Sequence, residues 1–100
     1  MSVDQNILVL NLLQQGKDEL GIGWTEVNGI NSKEITFNIE GNCDIIQNVR
    51  DIESWKKWPD ECISTIRFLY LPTDVFIGCS FALFKELFRI LKPNGNIPAR

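Results

Sequence analysis

The hydrophobic period changes once along this chain, and that change limits the folds open to it. Up to Pro72 the apolar residues come in short runs or in strict alternation; from Ser80 they recur every three or four residues. In "EITFNIE", residues 34–40, Ile35, Phe37 and Ile39 fall on one side and Thr36, Asn38 and Glu40 on the other, the period-2 signature of a half-buried strand. Phe81, Phe84, Leu87, Phe88 and Leu91 form one face of a helix, with Lys85, Glu86, Arg89 and Lys92 on the other. Short strands followed by a late helix predict a small α/β domain.

The remaining segments are assigned by the same physics. "ILVLNLL" (7–13) is a continuous apolar run and reads as a strand buried on both faces, the alternative being the start of a short helix. "QQGKDELGIG" has the glycines and charges of a loop. "WTEV" reads as a short strand ending at the Asn28-Gly29 turn. "CDIIQNV" (43–49) is a further strand, "RDIESWKKW" is less regular, and "IRFLYL" (66–71) is the most strand-like run, stopped by Pro72. Positive charge in the last turn of the late helix suits its dipole. Pro93 prevents continuation, and Asn94-Gly95 can supply a left-handed terminus. One hundred residues suit one domain, 1–100, with 96–100 expected as a flexible tail.

A formal charge of −3 with scattered Lys and Arg gives no footprint for nucleic acid. No apolar run approaches the roughly 20 residues of a membrane span, and the N-terminus lacks a basic secretory n-region. Cys43, Cys62 and Cys79 are far apart and read as reduced thiols, so a cytoplasmic location is expected. The chain has no histidine, the commonest general base and transition-metal ligand. A His-containing triad and a typical zinc site are thereby excluded, and neither a catalytic group nor a metal is expected.

The phrase Phe88-Arg89-Ile90-Leu91-Lys92-Pro93-Asn94-Gly95 resembles the helix end that precedes the fifth strand in class I S-adenosylmethionine-dependent methyltransferases, with Asn94 for the family's first glycine. Upstream, "ILVLNL" and "GWTEVN" stand where the family has its first two strands. "CDIIQNVRDI" resembles the third strand with its following acid, Asp51, and "WPDECISTIRFLYL" the lead into the fourth. The resemblance implies a small Rossmann-like sheet of about four to five short strands with a long C-terminal helix. It also implies S-adenosylmethionine as the ancestral cofactor.

The chain departs from the family where the cofactor would sit. The glycine-rich turn is reduced to Gly16 beside Leu13, Gln14 and Gln15, and Asn28 replaces the ribose-binding acid. Gly16, Asn28 and Asp51 are thus vestigial cofactor candidates, with no catalytic residue. The expectation is a non-catalytic, regulatory or inhibitory domain that binds another protein. The alternative is a reduced methyltransferase that completes its site by dimerisation.

Four residues are nominated for partner binding. Trp55 and Trp58 read either as rings packed over a sheet edge or as a recognition patch. If the fifth strand is missing, residues 66–71 form an open edge, which proteins seldom leave bare. Cover is then expected from the C-terminal tail, a second copy or a partner protein, with Phe68 and Tyr70 central. Asp51, Glu53, Asp60 and Glu61 read as a solvated acidic loop rather than an acid/base or Mg²⁺ site. Gly21-Ile22-Gly23 is a weak phosphate-loop signal, and Cys79 reads as a packed thiol.

Overall fold

The computed structural model describes residues 5–69, 78 and 80–98. In chain order these form α1 (Gln5–Gln14), β1 (Glu19–Ile22), a 3₁₀ turn (Glu26–Asn28), β2 (Glu34–Asn38), β3 (Ile45–Ile46), α2 (Ile52–Trp55), β4 (Ile63–Phe68), α3 (Ser80–Ile90) and β5 (Leu91–Asn96). The five strands make one parallel sheet in the order β3-β2-β1-β4-β5. This is the expected small Rossmann-like α/β fold.

Several segments differ from the sequence expectation. The run 7–13 is helix, not strand: Val9 and Leu12 lie three apart and are buried, with Leu8 and Leu13 partly buried beside them. Gly16 ends that helix. It has φ +88°, its amide donates to Leu13 O, and the Lys17 amide donates to Leu12 O, the paired bonds of a Schellman stop. The first strand is instead "ELGI", read above as loop because of its glycines. Gly21 belongs inside it because the Glu34 carboxylate fills the space above: a Cβ there would lie 2.7 Å from Glu34 Cδ.

The segment expected as the second strand is the 3₁₀ turn, closed by Asn28 Oδ1 accepting from the Thr25 amide at 2.9 Å. The alternating segment is β2, and it ends at Asn38, leaving Ile39 exposed. The third strand has two paired residues. "RDIESWKKW" contains α2, whose N-cap Asp51 accepts from the Ser54 amide and hydroxyl.

β4 begins three residues earlier than residue 66, and Tyr70 and Leu71 lie outside the described residues. Its predicted open edge is corrected, because β4 lies between β1 and β5. The fifth strand arrives through "LKPNGN" itself. Leu91 pairs with Ile63 and Asn96 with Thr65, so residues 92–95 bulge out opposite Ser64. Gly95 is needed there, since a Cβ would lie 2.8 Å from Ser64 O. Asn96 is thus strand rather than tail. The helix does stop ahead of Pro93, at Ile90, but Pro93 itself sits on the edge strand, where its missing N–H is tolerated.

Alternation gives the sheet two unlike faces. Leu20, Ile22, Ile35, Phe37, Ile45 and Ile66 join the core with Trp55 and Trp58, and with Leu83, Leu87 and Ile90 of α3. Glu19, Gly21, Glu34, Thr36, Thr65 and Arg67 share the opposite face. A doubly wound sheet covers both faces with helices. Here the links 23–33 and 39–44 carry one 3₁₀ turn and no α-helix, and the face they leave is polar.

Candidate functional site: a carboxyl-end pocket and an aromatic ridge

Open α/β sheets take ligands at the carboxyl ends of their strands. At the ends of β1 and β2 the chain has a pocket of about 400 Å³ lined by Trp24, Glu26, Val27, Asn38, Glu40 and Asn42. Its polar groups are largely engaged with one another. Asn38 Nδ2 donates to Trp24 O at 2.8 Å, Trp24 Nε1 to Gly29 O at 2.8 Å, and Asn42 Nδ2 to Glu26 Oε1 at 3.2 Å. The Gly23 and Trp24 amides both donate to Phe37 O, at 2.8 and 3.0 Å. In a phosphate cradle such amides point at the ligand. Here they tie the turn down to β2, so Gly21-Ile22-Gly23 builds no phosphate loop.

The vestigial cofactor candidates do not converge. Gly16 is a helix stop, Asn28 closes the 3₁₀ turn, and Asp51 caps α2. Each holds backbone. The acidic quartet is dispersed as well: Glu53 pairs with Lys56 at 2.9 Å and Asp60 with Arg89. Among the described residues no group of His, Cys, Asp and Glu could hold a metal ion.

Trp55 and Trp58 are corrected from partner contacts to core. Both are fully buried, and their rings stand 5.1 Å apart with Phe37 stacked 5.0 Å from Trp55. Trp55 Nε1 donates to Val49 O at 2.8 Å and Trp58 Nε1 to Gln47 Oε1 at 3.3 Å. Buried indoles need such acceptors, and they have them inside the domain. Tyr70 lies outside the described residues, and of the other three nominees Phe68 stays partly exposed.

Phe68 leads to a surface that periodicity assigned to the helix face as a whole. Its ring is 5.7 Å from Phe84, which is 6.2 Å from Phe88. Leu83, Leu87 and Ile90 take the buried side of α3, which turns Phe81 and Phe88 outward at 86% and 62% exposure. The sequence stripe placed Phe81 and Phe88 on one helix face with Phe84 and Leu87, of which Leu87 is buried and Phe84 partly so. A helix face about 100° wide cannot bury every apolar residue of so rich a segment. Beside Phe88 runs a groove of about 600 Å³ bordered by Asp60, Glu61, Leu91 and Pro93.

Two charge clusters escaped sequence reasoning because Arg89 reaches back to α2 and Arg67 to β1 and β2, contacts between residues far apart in the chain. Arg89 Nε meets Glu86 Oε1 at 2.9 Å, and its terminal nitrogens donate to Trp55 O and Trp58 O at 2.9 and 2.8 Å. On the polar face Arg67 Nη1 lies 2.6 Å from Glu19 Oε1 and 3.4 Å from Glu34 Oε2. Burial pushes the Glu34 carboxyl above its ordinary value, and Arg67 only partly opposes the shift. Burial likewise pushes the Cys62 thiol up to about 11, so this thiol is inert at neutral pH.

No family model matches the chain, and neither does any curated protein or solved structure. Among the described residues no helix is long and apolar enough to cross a membrane.

Proposed function

We propose that this chain is a non-catalytic interaction domain, regulatory or inhibitory in role, built on a methyltransferase-like remnant and working in the cytoplasm without cofactor or nucleic acid. The observation that supports this reading is the ridge on α3. Phe81 and Phe88 expose aromatic surface that a solitary domain has no reason to order, and buried aromatics are the usual anchors of protein interfaces. Lys85 is exposed on the same helix between them. The complementary surface is therefore apolar with an acidic group near its centre. Two copies meeting here would set Lys85 against Lys85, which favours a different protein as partner.

The test is cross-linking in cells followed by mass spectrometry, comparing the chain with its Phe81→Asp/Phe88→Asp variant. Loss of the partner cross-links at an unchanged melting temperature is expected. Equal cross-linking by the folded variant would sink the reading.

The carboxyl-end pocket favours a second reading, a reduced S-adenosylmethionine-dependent methyltransferase that completes its site by dimerisation. Isothermal titration with S-adenosylmethionine and S-adenosylhomocysteine separates the two. Micromolar binding, about −8 kcal/mol, would replace the first reading with the second.

A further inference from the structure

We infer that the groove beside Phe88 receives an arginine side chain of the partner, held by the Glu61 carboxylate. This rests on the partner reading and deepens it, adding a basic contact to the acidic one opposite Lys85. The charges around the groove select the occupant. Asp60, Glu61, Arg89 and Lys92 all line it. Arg89 pairs with Asp60 and Glu86 and donates to Trp55 O and Trp58 O. Lys92 Nζ lies 3.5 Å from Asp18 Oδ2. Among the described residues the Glu61 carboxylate has neither an ion pair nor a hydrogen bond, unlike the other three charges. The groove therefore presents one uncompensated negative charge, and its complement is a cation.

The backbone sets Glu61 apart from other exposed carboxylates. Its φ is +50°, and among the described residues no other non-glycine has a positive φ. Glycine adopts this region freely, whereas a residue with a Cβ is disfavoured there. The conformation is fixed from the end of α3: the Glu61 amide donates to Arg89 O at 3.0 Å and the Cys62 amide to Ile90 O at 2.8 Å. Backbone held in this way needs no side chain, so a carboxylate kept there against strain marks a contact made outside the domain. Arginine suits the rest of the groove. Its planar guanidinium stacks on an aromatic face while pairing with a carboxylate, and Phe88 lines the groove at 62% exposure. Its methylene stem matches the apolar surface of Leu91 and Pro93.

The test is an NMR titration of the isotope-labelled full chain with N-acetyl-arginine amide and its neutral isostere N-acetyl-citrulline amide, to about 100 mM. With arginine, saturable shifts are expected at the amides of residues 60–62, 88, 91, 92, 94 and 95. Binding should be about tenfold weaker for citrulline, which lacks both the ion pair and the stacked cation. Glu61→Gln should weaken arginine about threefold. Glu61→Gly, freed of the left-handed strain, should melt a few degrees above wild type and weaken arginine as much. No shift at the groove, equal binding of citrulline, or arginine binding unchanged in the two folded variants would overturn the inference. Cross-linking in cells separates it from the reading it rests on. Cross-links lost by Phe81→Asp/Phe88→Asp but kept by both Glu61 variants would overturn the arginine contact and leave the α3 partner standing. Arginine shifts at the groove with cross-links kept by Phe81→Asp/Phe88→Asp would support the arginine site and remove the α3 reading.

Discussion

At the scale of single residues, this fold places charge where a parallel sheet normally has aliphatic side chains. Glu34 sits mid-sheet and buried, with Gly21 beneath its carboxylate and Arg67 and Glu19 beside it. Its carboxyl is raised by desolvation, offset in part by Arg67 and reinforced by Glu19. A carboxyl raised in the folded state binds its proton more tightly there than in the unfolded chain. The resulting stability is complete below the unfolded value near 4.5 and is lost as pH rises through the folded one. Glu34→Gln should therefore gain stability relative to wild type between pH 4 and pH 7, because Arg67 keeps Glu19 as its partner. Urea denaturation at the two pH values reads the difference; a variant that loses ground at neutral pH would show that the Arg67 pairing outweighs burial.

At the scale of elements, legibility followed from whether the deciding interaction was local. β2 was readable because alternation reports one wet and one dry face, and α3 because Phe81, Phe84, Leu87 and Phe88 recur three or four apart, although the side it buries is that of Leu83, Leu87 and Ile90. α1 was misread because an apolar run fits a buried strand and a buried helix equally; Gly16, its stop, carried the missing information. β1 was lost because Gly21 answers to a carboxylate thirteen positions later, which no window around it contains. β5 was hidden by a helix-end phrase whose proline and glycine serve a bulge against β4. Of the candidate site, the choice between packed rings and a recognition patch for the tryptophans stayed open in the sequence because their acceptors, Val49 O and Gln47 Oε1, come from the segment before α2.

Arg89 does its work at this same scale. It joins α3 to the end of α2 by donating to Trp55 O and Trp58 O while neutralising the buried Glu86. Arg89→Ala should cost about 2–4 kcal/mol, mostly from the carboxylate it strands. Adding Glu86→Gln should recover part of that loss. Chemical denaturation of the single and double variants measures both steps.

At the scale of the whole molecule, the sheet is closed on each side by weak but deliberate means. β3 ends one edge after two paired residues, and β5 ends the other with a four-residue bulge that contains Pro93. Both are devices that discourage strand-to-strand aggregation. The central pair, β1 with β4, joins Glu19 to Thr65 and Ile22 to Phe68 across more than forty residues of chain. The sheet can therefore form only when the two halves of the sequence meet, and β5 then seals the side of β4 that would otherwise stay open. Removing residues 91–100 should abolish cooperative unfolding and promote aggregation. Pro93→Ala keeps every paired residue of β5 and should stay folded with a melting temperature near wild type. Light scattering and thermal melts of the two variants check this. A truncated chain that melted cooperatively as a soluble species would show that β4 does not depend on β5 for its cover.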